Sequence, residues 1–541
     1  MKDQRLYKSK ILLIDDQPLA LSYMKQSLES LGFNEVSIAE NAKMALGFCQ
    51  DHYFDLILCS FNLGKYKDGY QFYEELKAKK MIKNTSGFIF ISAETDTSLV
   101  HSVIELQPDD FLAKPFSLKV FGERITRLLK RKQALAQIYD FIDVGNDSKA
   151  LRYVNQMLSD SKKNHLSPIL LKIRGELLLK LKRTAEAIDF FKSVLNIQKF
   201  TWARVGLVEA YIQNSEFNQA KNILEVMLSR PETRLVAYHL LGKLEMHLEN
   251  FQEAQELLSE ASKLAPRNID RQEDLITLTK INHDYEKHYQ VNREIVKYAK
   301  HSIHDTPDIY LNLARAGIDY ALTLEQADIV GRLSRQSNEC LNQLRKQFPD
   351  AKAQEQIDVI NARIHYLKDE RSKALALVEQ IEDQPIIRSV DDTLDKAKAF
   401  HELGMHYKAD QLFNQLKDHC EKHQEDDAAL LTYLKQEQQE RNDIRYSPKE
   451  LNNNAVKNYE KGHYEEALSF FTQAFRIMPK NANIALNLLQ TLFDPRHMQQ
   501  QTMNKSLVEK CYEIVENAEL DNEQTKRLKS IEPKIKSLLL K

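Results

Sequence analysis

Turn-forming residues are scarce: 14 glycines and 13 prolines make up about 5% of 541 residues, where about 12% is ordinary. That shortage excludes collagen-like and Pro/Gly-rich disordered chains and points to a protein built mostly of helix. An excess of one charge is missing too. The 76 Lys and Arg stand against 78 Asp and Glu, for a net charge of -2, and they are spread along the chain, so neither nucleic acid nor a membrane surface is expected as a partner. The five cysteines, Cys49, Cys59, Cys340, Cys420 and Cys511, form no CxxC pair. Neither a disulfide framework nor a thiolate metal site is indicated, and they read as reduced, buried thiols. No stretch approaches 18 apolar residues, and the N-terminal MKDQRLYKSKILLIDD holds only four in a row, too few for the apolar core of a signal peptide. A cytoplasmic protein is expected. The 16 histidines show no HExxH spacing, and the loop from Gly64 to Gly69 runs into Tyr70, not Lys-Ser or Lys-Thr, which excludes a nucleotide P-loop.

What is present divides in two. Six of the 14 glycines fall in the first 130 residues, where short apolar runs alternate with amphipathic segments. Strands are expected at 11–14, 35–38, 55–59, 88–92 and 110–113, with helices at 18–31, 41–51, 70–80, 97–106 and 118–130. Strands alternating with helices imply a five-stranded parallel sheet, doubly wound, whose ligands sit at the carboxyl ends of the strands. A first domain over 1–130 and an all-α second region over 131–541 follow. The segment 126–141 has few turn-formers and apolar residues at helical spacing, so one domain should run into the next through continuous helix.

Beyond residue 130 a period emerges. Ala187, Ala220 and Ala254 are 33 and 34 residues apart, each followed four later by a bulky apolar residue, Phe191, Leu224 and Leu258. Tyr238, Leu241, Gly242, Ala254, Ala261 and Pro266 resemble the tetratricopeptide repeat, a helix pair in which small residues let the helices cross closely. Gly462, Tyr464, Ala467, Phe471, Ala474 and Pro479 give a second clear unit. Weaker ones centre on Gly145 with Ala150, Gly175 with Ala187, Ala374, and Gly404 with Ala409 and Phe413. Between about 270 and 365 the pattern departs from the repeat. An all-α superhelix is expected, since a helix pair cannot bury its apolar face without neighbours, and its concave groove should bind peptide or protein.

At the strand ends Asp15 and Asp16 follow the first strand, Asn62 the third, Ser92 the fourth and Lys114 the fifth. Two carboxylates and a carbonyl suit Mg²⁺, and a hydroxyl with an ammonium suits phosphoryl oxygens. The stretches ILLIDDQP, DLILCSFNLG, FIFISAE and QPDDFLAKPF resemble the receiver domain of bacterial response regulators over 9 to about 128. The resemblance implies that Asp15 and Asp16 are metal-binding acids, Ser92 and Phe111 the switch pair, and Lys114 with Pro115 the invariant lysine-proline. One residue breaks the pattern. The phosphoacceptor aspartate belongs 44 residues after Asp16, and that position is Ser60. A serine hydroxyl is protonated at neutral pH and needs an adjacent general base to attack phosphorus. The reading is a receiver that is not phosphorylated, with serine phosphorylation, or acceptance at Asp15 or Asp16, as the open alternatives.

No catalytic residues are assigned. The sequence implies a two-component response regulator that acts by protein-protein interaction, as a phosphorylation-independent adaptor or inhibitor. The alternatives are a regulator gated by phosphate at another residue and a scaffold for motility, secretion or transcription partners. Mg²⁺ would be held weakly by Asp15, Asp16 and the Asn62 carbonyl. A histidine kinase or other signalling protein would dock on the receiver and on the repeat groove. The face around the fourth and fifth strands and helices, which includes Phe111, is expected to stay usable for partners or for homodimerisation.

Overall fold

The computed structural model describes residues 6–94, 96–324, 326–381, 389–422, 428–444, 446, 448–496, 504–518 and 520–539. Residues 1–5, which open the N-terminal stretch considered above, lie outside them. The chain forms two compact units, 1–271 with 298–305, and 272–297 with 306–541.

The first unit begins with the α/β fold. Strands β1 (Ile11–Ile14), β2 (Val36–Ala39), β3 (Leu56–Ser60), β4 (Gly87–Ser92) and β5 (Asp110–Ala113) are all parallel, in the order β2-β1-β3-β4-β5. The central strands ILLI, LILCS and GFIFIS are buried at every residue, as strands covered on both faces must be. Their side chains alternate between two cores. Leu12, Ile57, Cys59, Phe88 and Phe90 face α2 (Ala42–Asp51), α3 (Gly69–Ala78) and α4 (Thr97–Glu105). Ile11, Leu13, Leu58, Ile89 and Ile91 face α1 (Pro18–Ser30) and α5 (Leu118–Asp143).

Helix α5 carries 26 residues, so the expected boundary between 130 and 131 falls inside it. Its far half is tied back to the α/β fold. Lys132, almost fully buried, donates to the Asn84 carbonyl at 2.9 Å and pairs with Asp109 at 3.0 Å, and the Asn84 amide nitrogen reaches Asp143. Trypsin is therefore expected to cut 126–141 late, despite its four basic residues. Early cleavage there would contradict a stiff junction.

The first unit continues through α6 (Asp147–Leu158), α7 (Ser167–Lys180), α8 (Thr184–Ile197), α9 (Thr201–Gln213), α10 (Phe217–Leu228), α11 (Pro231–His247) and α12 (Phe251–Leu264). Close crossing explains the small residues. A Cβ at Gly242 would sit 2.6 Å from Leu258 Cγ, and Ala187, Ala220 and Ala254 are fully buried. The repeat has a second mark in the backbone. Gly145, Lys182, Ser215, Glu249 and His283 have positive φ, 33 to 37 residues apart. In each case the next residue's N–H bonds the carbonyl five residues back, as in Asn250 to Glu245 and Asp284 to Thr279. This left-handed turn ends one helix and starts its partner. It recurs at Asp369, Gly404 and Gly462.

The second unit takes most of α13 (Ile269–Ile281) and α14 (Tyr285–Ala299), whose residues 269–271 and 298–299 belong to the first, and then α15 (Pro307–Ala321), α16 (Ala327–Gln347), α17 (Gln354–Leu367), α18 (Arg371–Val378), α19 (Val390–Glu402), α20 (His406–Lys422), α21 (Ala428–Asp443), α22 (Pro448–Glu460), α23 (Tyr464–Ile477), α24 (Ala482–Leu492), α25 (Lys505–Glu516) and α26 (Asn522–Leu539). A left-handed turn of the same kind at His283 joins α13 to α14, inside the stretch 270–365 where the sequence departs from the repeat.

The interior between α15, α17, α19 and α21 is ionic. Arg363, 1% exposed, bonds Asp395 and Asp319 at 2.6 Å each and Glu402 through two nitrogens. Lys398 pairs with Asp319 at 2.9 Å and Arg441 with Glu437 at 3.1 Å. The space left beside Lys280, Arg315 and Asp395 is about 30 Å³, room for about one water and not for a peptide.

Candidate functional site

The parallel sheet delivers the carboxyl ends of β1, β3, β4 and β5 to one rim, and five of the expected residues lie there. Asp15 is fully buried. Its Oδ2 takes Lys114 Nζ at 2.8 Å and its Oδ1 accepts the Gln17 N–H at 2.9 Å. Lys114 is held in turn, its N–H donating to the Ser92 carbonyl at 2.8 Å. Ser92 is buried and its hydroxyl accepts the Glu94 N–H at 3.0 Å. Asn62 is exposed and donates its amide to Glu94 at 3.1 Å. Asp16 is exposed and has no ion pair or hydrogen bond among the described residues. Phe111 is half-buried and packs on the core that includes Phe90 and Val103.

Ser60 closes β3, 7% exposed. Its hydroxyl has no hydrogen-bond partner among the described residues, so no carboxylate or imidazole is in contact to take its proton. The chain leaving it is tightly folded back. Gly69 N–H donates to the Phe61 carbonyl at 2.7 Å, and a Cβ at Gly69 would lie 2.3 Å from the Ser60 carbonyl oxygen. Only glycine fits there. As for metal chemistry, no group of three His, Cys, Asp or Glu side chains gathers among the described residues. Asp15 and Asp16, with Asn62, offer one carboxylate fewer than an aspartate at position 60 would give. All five cysteines are buried, and burial alone pushes the Cys49 and Cys511 thiols up to about 12.

The residues that sequence reasoning missed bind this site to the first unit's own repeats. Asp68 caps α3, accepting the Gln71 N–H at 2.9 Å, and its other oxygen takes Arg267 at 2.6 Å. The Arg267 guanidinium lies 5.1 to 5.5 Å from the ring centres of Phe61, Tyr70 and Tyr298. Gln71 donates to the carbonyls of Tyr298 and Lys300 at 3.0 and 2.9 Å. At the end of α4, Glu105 pairs with Arg271, which is fully buried and also donates to the carbonyls of Ala261 and Ala265. Burial pushes the Glu105 carboxyl up, against the pull of Arg271. Burial, with Arg271 second, holds His239 down at about 4, so it meets the Arg271 Nε–H as a neutral acceptor. Helix α12 thus packs on α4, and the α4 end of the face expected to be free is covered. Arg267 and Arg271 are four residues apart just after Pro266, but nothing in the sequence names their partners.

A β2-β1-β3-β4-β5 parallel sheet with paired acids after β1, a serine closing β4 and a lysine after β5 defines a receiver. Residues 11–126 match the response regulator receiver domain, and residues 235–268 match a tetratricopeptide repeat. The first segment is 28% identical over 112 residues to a probable chemotaxis protein CheY of Rhizobium etli, covering 21% of this chain and 85% of that protein. It is 33% identical over 123 residues to the transcriptional regulatory protein CpxR of Escherichia coli, covering 23% of this chain and 50% of that protein. A CheY-like receiver domain structure from Methanospirillum hungatei is 23% identical, with a TM-score of 0.22, covering 24% of this chain and 98% of that one. The chain carries a receiver domain followed by a helical region with a tetratricopeptide repeat, and its receiver relatives support a place in two-component signalling. Modules of these two kinds are generally non-catalytic and work by protein contacts. No described helix is long and apolar enough to cross a membrane.

Proposed function

We propose that this protein is a phosphorylation-independent response regulator, an adaptor or inhibitor whose receiver (1–130) and repeat region (131–541) work through protein contacts and share α5. The observation that carries this reading is Ser60 at the end of β3, without a base in contact among the described residues, beside an Asp15 already committed to Lys114. Phosphoryl transfer to serine would need a proton acceptor, and none among the described residues touches that hydroxyl. The clamp at Arg267 and Arg271 supports a receiver held in one arrangement. Exchange of Ser60 for alanine tests the reading. Ser60→Ala and the natural chain should recover the same signalling partners in equal yield, and loss of partners with Ser60→Ala would overturn it.

Receivers typically bind Mg²⁺ at the phosphorylation site. Here Asp15, Asp16 and Asn62 would hold it, supplying fewer anionic oxygens than a site with a third carboxylate. The donor set suits a weakly bound, largely hydrated ion that would offset phosphate charge. Ser60→Asp should tighten Mg²⁺ binding by about tenfold or more, because charge count sets affinity for hard cations. Calorimetric titration of both forms checks this, and equal affinities would remove Ser60 from the metal's surroundings.

A further inference from the structure

Away from the strand ends, a groove of about 870 Å³ runs along α5 where it passes the start of α7. Its floor is apolar, made by Tyr7, Leu31, Leu166 and Ile169, with Leu31 packed on the backbone of Gly122. Its rim is cationic. Lys119, Arg127, Lys130 and Arg131 project from one stripe of α5, His165 stands opposite, and Glu123 is the single acid. Arg131 and Arg127 lean toward Asp109 and Asp110 at 3.3 and 3.9 Å. Lys119 and Lys130 are exposed and have no carboxylate within ion-pair distance among the described residues. In a chain whose net charge is -2, this is a local concentration and not a reflection of composition.

We infer that this groove is a docking site for an acidic amphipathic helix of a partner protein. The stripe from Lys119 to Ala134 is about 22 Å long at 1.5 Å per residue, four turns of a bound helix. An apolar floor takes the i, i+3, i+4 and i+7 anchors of such a helix. Cations along the rim pair with acids flanking those anchors, steering association and fixing direction. Nucleic acid fits poorly, because an apolar floor replaces the polar groups that would meet phosphates. A lipid surface fits less well than a helix, because the floor is recessed between α5 and the start of α7 instead of standing out as a flat face. The inference is independent of what happens at Ser60, since the groove shares no residue with the strand-end site.

The test uses the full chain and a fluorescein-labelled helical peptide of about 16 residues, with leucines at the anchor spacing and glutamates on the flanks. Anisotropy should show saturable binding. Lys119→Glu with Lys130→Glu should weaken it by about tenfold or more, and Ala134→Trp, which fills the groove without changing charge, should weaken it as well. A peptide of the same composition with scrambled order should bind poorly. Circular dichroism melts confirm that each variant is folded, and Ala134→Trp and the double charge reversal serve as independent checks if one is not. Equal binding of the scrambled peptide, no effect of Ala134→Trp, or binding only to phosphatidylglycerol vesicles would overturn the proposal.

Discussion

Arg363→Ala is expected to cost the second unit on the order of 3–5 kcal/mol, the usual penalty for removing one partner of a buried ion network. The reason is what stays behind. Asp319, Asp395 and Glu402 would face one another inside the protein with their shared cation gone. For a unit of this size the loss should appear as a fall of roughly 6–20 °C in its melting temperature, followed by calorimetry. A change under about 1 kcal/mol, typical of exposed pairs, would show that this interior is wet and loosely paired. Acid should act on the same network. Burial, then nearby cations, holds His288 and His401 near 3, while an unfolded histidine titrates near 6.5. Their contribution is therefore complete above pH 6.5 and declines as pH falls toward 3. By pH 5 each has lost at most about 2 kcal/mol. Burial raises the carboxyls of Asp319 and Glu437, but their neighbouring cations, led by Lys398, outweigh it and leave both low, so acid erodes these too, at lower pH. Burial raises Glu402, which runs the other way for one group. The second unit should accordingly melt lower at pH 5 than at pH 7, and a higher melting temperature at pH 5 would contradict the assignment.

The second large effect is expected at the clamp. Arg271→Ala leaves Glu105 facing the repeats without its cation and strips donors from the Ala261 and Ala265 carbonyls, again costing about 3–5 kcal/mol. Adding Arg267→Ala removes the Asp68 contact and the three ring contacts, each worth about 0.5–1 kcal/mol. Hydrogen exchange should then speed up in α4 and in the loop from Phe61 to Asp68, while the central strands stay protected. Arg271→Ala combined with Glu105→Ala should recover part of the loss, since no lone charge remains. Unchanged exchange in α4 after both arginine substitutions would mean that the receiver is not held by its repeats.

The receiver was legible because its signals are local. Apolar runs placed β1 and β5 at their observed residues and set β2 and β3 one residue early, since Ala39 and Ser60 extend strands whose neighbours define them through pairing register. The helix pairs were legible where glycine or alanine marked a close crossing. The left-handed turns between paired helices were hidden, because Lys182, Glu249 and His283, which take that conformation, are not turn-forming types. Helix α19, VDDTLDKAKAFHE, reads as a solvated surface helix, yet Asp392, Asp395, Lys398 and Glu402 are all buried. Their partners lie 32 to 79 residues away, beyond any spacing rule. The same distance hid the clamp, where Asp68 meets a residue 199 positions on. At the strand ends the sequence placed the residues at one rim, with Lys114 offsetting the charge of the acid pair, but not that Asp16 would be left without a partner among the described residues.

The central claim is that this receiver does not carry phosphate, and intact mass of the full chain tests it most directly. After incubation with acetyl phosphate and Mg²⁺, the protein should keep its unmodified mass. A stoichiometric gain of one phosphoryl group, at Ser60, Asp15 or Asp16, would contradict the account.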